Sequence, residues 1–118
     1  MRYKPGEVDP NGVQPHLPGA KLDAGKIEMS LVLDGFARAL LEVGKVATFG
    51  AKKYTRGGWQ EVPDGVYRYK NAADRHRMYR MAEGDRDPDS ELLHEAHELW
   101  NHLASFELKL RQGENGDI

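Results

Sequence analysis

Glu91, Glu95 and Glu98 recur at the four- and three-residue steps of a helix, with His94 and His102 on their flanks. At ~100° per residue the three acids fall in one narrow stripe. Leu92, Ala96, Leu99, Trp100, Leu103 and Phe106 fill the opposite side. Like charges at this spacing repel by roughly a few tenths of a kcal/mol per pair. A divalent cation accounts for such a stripe. Glu95-x-x-Glu98 places two carboxylates one turn apart, which suits Mg²⁺ or Mn²⁺, hard ions that take oxygen ligands and keep several waters. The same spacing also occurs on plain solvated helices. The zinc-protease pattern fails by one residue: Asn101 stands where the second histidine belongs, and His102 is ~100° away from that place. That argues against zinc.

A second set of candidates lies in the stretch 50–65, GAKKYTRGGWQEVPDG, whose Gly-Gly, Pro and Asp-Gly are turn chemistry. Lys52, Lys53 and Arg56, together with Arg75 and Arg77, set a basic cluster beside the acidic helix. A metal-bound polyphosphate needs that juxtaposition. Tyr54 and Trp59 could stack on a base or pack the loop onto the body. Glu42 has Arg38 and Lys45 within reach of an ordinary surface pair. His76 shares a face with Tyr69, Ala72 and Tyr79, the setting of a hydrogen-bonded core histidine. There is no GxxxxGK[ST], no GxSxG, no His-Asp dipeptide and no cysteine, so P-loop and covalent chemistry are excluded.

These residues need helices to position them. The 118 residues make one domain with a modest core, and 31% charged residues with a mean hydropathy of −0.73 are polar for a compact monomer. Another copy is therefore expected to cover part of the apolar surface. The net charge of −2, with both signs well mixed, argues against long nucleic acid. No apolar run suits a membrane span or a signal-peptide core, so a cytoplasmic protein is expected. Residues 1–25 hold four of the six prolines and read as an irregular arm. The helical domain spans 26–111, followed by a frayed tail, 112–118. A first helix is predicted from Ser30 to about Phe49, on the apolar steps Phe36, Leu40, Val43 and Ala47, with Gly50 as its stop. A second runs from about Val66 to Met81 and closes at Gly84. Asp87-Pro88 is predicted to open the last helix, which extends to Arg111. No strand pattern survives, so the class is all-α, a helical bundle completed by oligomerisation.

The segments AGKIEMSLVLDGFARALLEVGKVATFGAKKY, then GGW, then AADRHRMYRMAEGDRDPDSELLHEAHELWNHLASFEL resemble a phage and bacterial dATP/dGTP pyrophosphohydrolase family. That family is MazG-like, within the all-α nucleoside triphosphate pyrophosphatase superfamily. The similarity covers about residues 21–110, and its nearest branch is found in phages that replace adenine by 2-aminoadenine. Its most specific parts are FGAKKY followed by a Trp, the pair Arg75-His76, Glu83-Gly84 with Asp87, Asp89 and Ser90, and a helix bearing His94, His97 and Asn101. The resemblance implies hydrolysis of dGTP, and of dATP or GTP, to the monophosphate and pyrophosphate, with two or more Mg²⁺ or Mn²⁺ ions per site. It casts Glu95 and Glu98 as catalytic. Glu42, Asp74, Glu91, Glu95 and Glu98 are the metal ligands it implies, with Glu83 and Asp87 in reserve. The first motif departs from the superfamily's, since Glu42-x-x-Lys45 keeps only one acid. Lys26, Lys45, Lys52, Lys53 and Arg75 would hold phosphates, and Tyr54, Trp59 and His76 complete the substrate set. A tetramer follows from the superfamily's habit and the small core. Two other readings stand beside this one: a non-catalytic helical interaction module, and a hydrolase of the same fold acting on dUTP or a phosphoribosyl-ATP.

Overall fold

The computed structural model describes residues 6–114; the first five residues of the arm and residues 115–118 of the tail lie outside the described residues. The chain divides into two units, one ending at Gly35 and the other beginning at Phe36.

The first unit is held by local polar bonds. Asp9 is only 7% exposed, and its carboxylate accepts backbone N–H bonds from Asn11 (2.7 Å), Lys21 (2.7 Å) and Val13 (3.4 Å). The Ala24 N–H donates to the Val8 carbonyl at 3.1 Å. One helical turn, α1 (Ser30–Leu33), follows.

The single helix predicted from Ser30 to Phe49 is in fact two. A Cβ at Gly35 would stand 3.2 Å from the Leu31 carbonyl oxygen, and the chain turns through Asp34 and Gly35. Helix α2 then runs Ala37–Lys53. Gly50 does not stop it. The helix gains another turn, with Lys52 and Lys53 beside its last carbonyls, where positive charge is favourable. Helix α3 (Gly65–Glu83) matches the expected span closely, and Gly84, at φ 117°, ends it as only glycine does without strain.

The last helix is the larger correction. Asp87-Pro88 does not open it; α4 is His94–Glu114. Between α3 and α4 the chain forms a closed loop, pinned by an antiparallel bridge between Arg86 and Leu93 and by the His94 N–H on the Asp85 carbonyl at 2.8 Å. Within it the Asp87 carboxylate accepts the Ser90 N–H at 2.8 Å, and the Ser90 hydroxyl accepts the Leu92 N–H at 3.1 Å. The aspartate therefore caps a turn, a competing use of the same side-chain acceptor. Glu91 lies in that loop at φ 64° and so shares no helical stripe with Glu95.

Helices α3 and α4 lie along each other, α2 packs on α4, and a 3-10 turn at Gly58–Glu61 touches both α3 and α4. A Cβ on Gly65 would stand 2.6 Å from Leu108 Cδ1, so the start of α3 approaches α4 closely because no side chain intervenes. The buried apolar residues are small: Val46, Ala73, Ala96 and Ala104. Leu99, Leu103, Phe106 and Leu110 stay 40–59% exposed on α4. Among the described residues the fold is all-α, with no strand and no helix long and apolar enough to cross a membrane.

Candidate active site

The cleft of the second unit lies among α2, the 54–62 segment, α3 and α4, and has a volume of about 700 Å³. That is within the range of small-molecule sites. Tyr69 and His76 both line it from α3. Seven residues apart, they mark positions ~10 Å distant along the helix.

At the Tyr69 end the lining is aromatic. Trp100 meets Trp59 and Tyr69 edge to face, with ring centroids 5.9 and 5.6 Å apart. The Tyr69 hydroxyl donates to the Trp59 carbonyl at 3.1 Å, tying the 3-10 turn to α3. Arg111 lies over the Trp59 ring at 5.6 Å.

At the other end three imidazoles gather. His76 stacks on His97 with centroids 4.4 Å apart and planes 7° from parallel. Its Nδ1 is 2.9 Å from Nδ1 of His94. His97 Nε2 is 2.7 Å from the Ser90 hydroxyl. His94 is 1% exposed, and among the described residues its Nε2 has no partner. Burial, helped by the charge of His97, pushes the His76 pKa down to about 4. Burial lowers His97 as well, so both rings are neutral and able to accept a proton or ligate a metal at neutral pH. Burial opposes ionisation of Asp87, but the Ser90 hydrogen bonds and nearby imidazoles outweigh it and hold the carboxyl below its usual range. Ligand atoms of His76, Asp87 and His94 all lie within 4.8 Å of one another, a spacing that can hold a metal ion. Lys53 closes this end. It bonds Asp89 at 2.7 Å, which raises its pKa, and lies over Phe49 and Tyr54.

Of the substrate-binding residues expected from sequence, Lys53, Tyr54, Trp59, Arg75 and His76 line this cleft. Lys26 belongs to the first unit and pairs with Glu7 at 2.9 Å. Lys45 pairs with Glu42 at 2.6 Å, the ordinary surface pair weighed for that acid. Lys52 lines a separate shallow depression with Arg56. The expected metal ligands Glu42, Asp74, Glu91, Glu95 and Glu98 are not brought together among the described residues, and none lines the cleft. Asp74 pairs with Lys70, Glu91 and Glu95 are exposed, and Glu98 turns to Arg80 (3.4 Å) and His102 (3.7 Å). The residues that do gather and were left out of the site set are Asp89, Ser90, His94, His97 and Asn101; Asp87 stood there only in reserve. Their signal is in the sequence: positions 94, 97 and 101 share one helix face, and Asp87, Asp89 and Ser90 belong to the motif that carries the family resemblance.

Residues 16–118 match the family described as dATP/dGTP diphosphohydrolase, N-terminal. The chain belongs to that family. No curated protein and no solved structure gives a match. Membership makes this cleft part of a diphosphohydrolase-family domain, lined by both cations and aromatic rings. Lys53 and Arg75 suit phosphate, and the Trp59, Tyr69 and Trp100 cluster suits a base. The donor set at the His76 end also fits a divalent ion, since two imidazoles and a carboxylate converge there.

Proposed function

We propose that the chain hydrolyses a purine deoxynucleoside triphosphate, dGTP foremost and dATP or GTP beside it, to the monophosphate and pyrophosphate. The observation that carries this is the cleft itself, polar and metal-capable around His76 and aromatic around Trp100, at the scale of one nucleotide. The base would sit against Trp59, Tyr69 and Trp100, with the triphosphate extending toward Lys53 and Arg75. Lys53 would exchange Asp89 for a phosphate oxygen. His97, neutral and already anchored by Ser90, can accept a proton from the water that adds across the α–β anhydride. His76 and Asp87 in the cleft, with His94 beside them, would hold the cation; when bound, a divalent ion neutralises phosphate oxygens and acidifies water.

The finer reading follows from the resemblance over residues 21–110. It makes the enzyme Mg²⁺- or Mn²⁺-dependent and MazZ-like, acting in the host cytoplasm of a phage that uses 2-aminoadenine, with dGMP passed to a ligase-type step. We also propose a homo-oligomer, a tetramer in that reading. Leu99, Leu103, Phe106 and Leu110 repeat in four-three-four steps and remain exposed, a seam a second copy of α4 would cover.

The test is dGTP hydrolysis by the full chain with Mn²⁺, read by product chromatography against a panel of nucleotides. The expected result is dGMP and pyrophosphate in equal amounts, lost in Asp87→Asn. A pyrimidine preference would reassign the substrate, and no turnover of any nucleotide would favour a non-catalytic module.

A further inference from the structure

We propose that His76, Asp87 and His94 form a two-histidine, one-carboxylate centre that takes a first-row transition ion such as Mn²⁺ or Co²⁺ in preference to Mg²⁺. The three side chains come from α3, the 84–93 loop and α4, and their ligand atoms lie within 4.8 Å of one another. The loop that delivers Asp87 is closed at its ends by the Arg86–Leu93 bridge and the His94-to-Asp85 bond, so the approach is built into the fold.

A hydrogen bond between His76 and His94 would by itself account for their 2.9 Å contact. It would not account for the Asp87 carboxylate that approaches both rings. A cation takes one nitrogen from each ring together with the carboxylate. Two imidazole donors favour the later first-row ions, cobalt and iron ahead of manganese, whereas magnesium prefers oxygen and its own waters. His76 and Asp87 line the cleft, so open positions on such an ion would face the substrate. Ser90 then acts on the centre at one remove. Its N–H fixes Asp87, and its hydroxyl fixes His97, which stacks on His76.

This centre rests on the reading of the cleft as a nucleotide site, but its test uses no nucleotide. Mn²⁺ is titrated into the full chain and free ion is read by electron paramagnetic resonance. One ion per chain is expected, with excess Mg²⁺ failing to displace it. His76→Asn and Asp87→Asn should each weaken binding by about tenfold or more, while Glu95→Gln with Glu98→Gln leaves it unchanged. His94 is fully buried and its substitution can unfold the bundle, so the decision falls to the other two variants, checked by circular dichroism for intact helix. Co²⁺ bound to the unaltered chain supplies an independent readout, a nitrogen-shifted ligand-field spectrum. No saturable Mn²⁺ binding, equal displacement by Mg²⁺, an aquo-like cobalt spectrum, or loss only in the Glu95 and Glu98 variant would overturn the proposal. Intact metal binding without nucleotide hydrolysis would count against the enzyme reading instead.

Discussion

Helix α4 carries polar residues on two faces, and the two differ in what it costs to place them. His94, His97 and Asn101 turn inward at 1%, 7% and 7% exposure. Glu95 faces solvent, and Glu98 leans on Arg80 and His102 at its edge. An exposed carboxylate costs a helix almost nothing, so its presence says little about function. A buried imidazole must be hydrogen-bonded, ligated or otherwise compensated, so three polar side chains on a buried face demand an explanation. The acidic stripe is conspicuous in the sequence because charge is visible there directly. The inward face carries the denser chemistry because burial, which a sequence displays only indirectly, selects what is kept there.

The sharpest way to break this contrast is to neutralise one acid from each face. Asp87→Asn, in the loop facing the inward histidines, should lower turnover by about 100-fold or more, as loss of a group holding the metal and its neighbours does. Glu95→Gln should stay within about twofold, the scale of a surface substitution. Steady-state rates for both, at saturating Mn²⁺ and dGTP, decide it. If Glu95→Gln is the damaging change, the outward acids reach a site that one chain does not complete.

A smaller effect probes the aromatic end. Trp100 joins Trp59 and Tyr69 in one edge-to-face cluster and is half-buried. Trp100→Ala should cost about 2 kcal/mol of stability, less than a fully buried tryptophan would. Denaturant midpoints measure the loss. Trp59→Ala should change the Michaelis constant for dGTP more than the melting point, because Trp59 sits on a turn rather than between helices.

How far the sequence reveals this contrast depends on the segment. The all-α class and the span of α3 are readable because apolar spacing and Gly84 agree with one another. The break at Asp34–Gly35 escapes, since the apolar steps from Phe36 onward mask a glycine whose Cβ would crowd a carbonyl. The start of α4 is misread for a related reason. Asp87-Pro88 is a good helix opening, but the same carboxylate also caps the turn to Ser90, and the Arg86–Leu93 bridge decides between the two. A helix opened at Asp87 would carry Glu91 on its face; with α4 starting at His94, Glu91 lies in the loop and Asp87 turns to the cleft. The loop-borne aromatics and Lys53 were legible from composition alone, whereas the convergence of His76 with His94 depends on long-range packing.

The exposed side of α4 offers a further comparison, between its apolar seam and its acids. Leu103→Lys sets a charge in the middle of the Leu99–Leu110 stripe without touching the cleft lining. Sedimentation should show the assembly shifting to a smaller species, with helix content retained. An unchanged mass would mean that the seam is not the interface. Charge reversal at Glu95 should leave the mass as it was.

The gentlest perturbation compares the second unit's apolar packing with the first unit's dependence on one acid. The Lys21 N–H leads the bonds that lower the Asp9 pKa, with Asn11 and Val13 adding to it against the effect of burial. A depressed carboxyl stabilises the folded form above its unfolded value of 3.8 and loses that contribution as pH falls through the lower folded value. Residues 9–21 should therefore loosen on acidification below about pH 4, before the helical unit responds through the same group. Amide exchange of Asn11 and Lys21 reads this directly. In Asp9→Asn those amides should exchange fast at neutral pH and show no acid step, because an amide oxygen cannot hold three donors as a carboxylate does. Retained protection in that variant would mean that the loop is fixed by its prolines and backbone turns, with the aspartate merely resting against it.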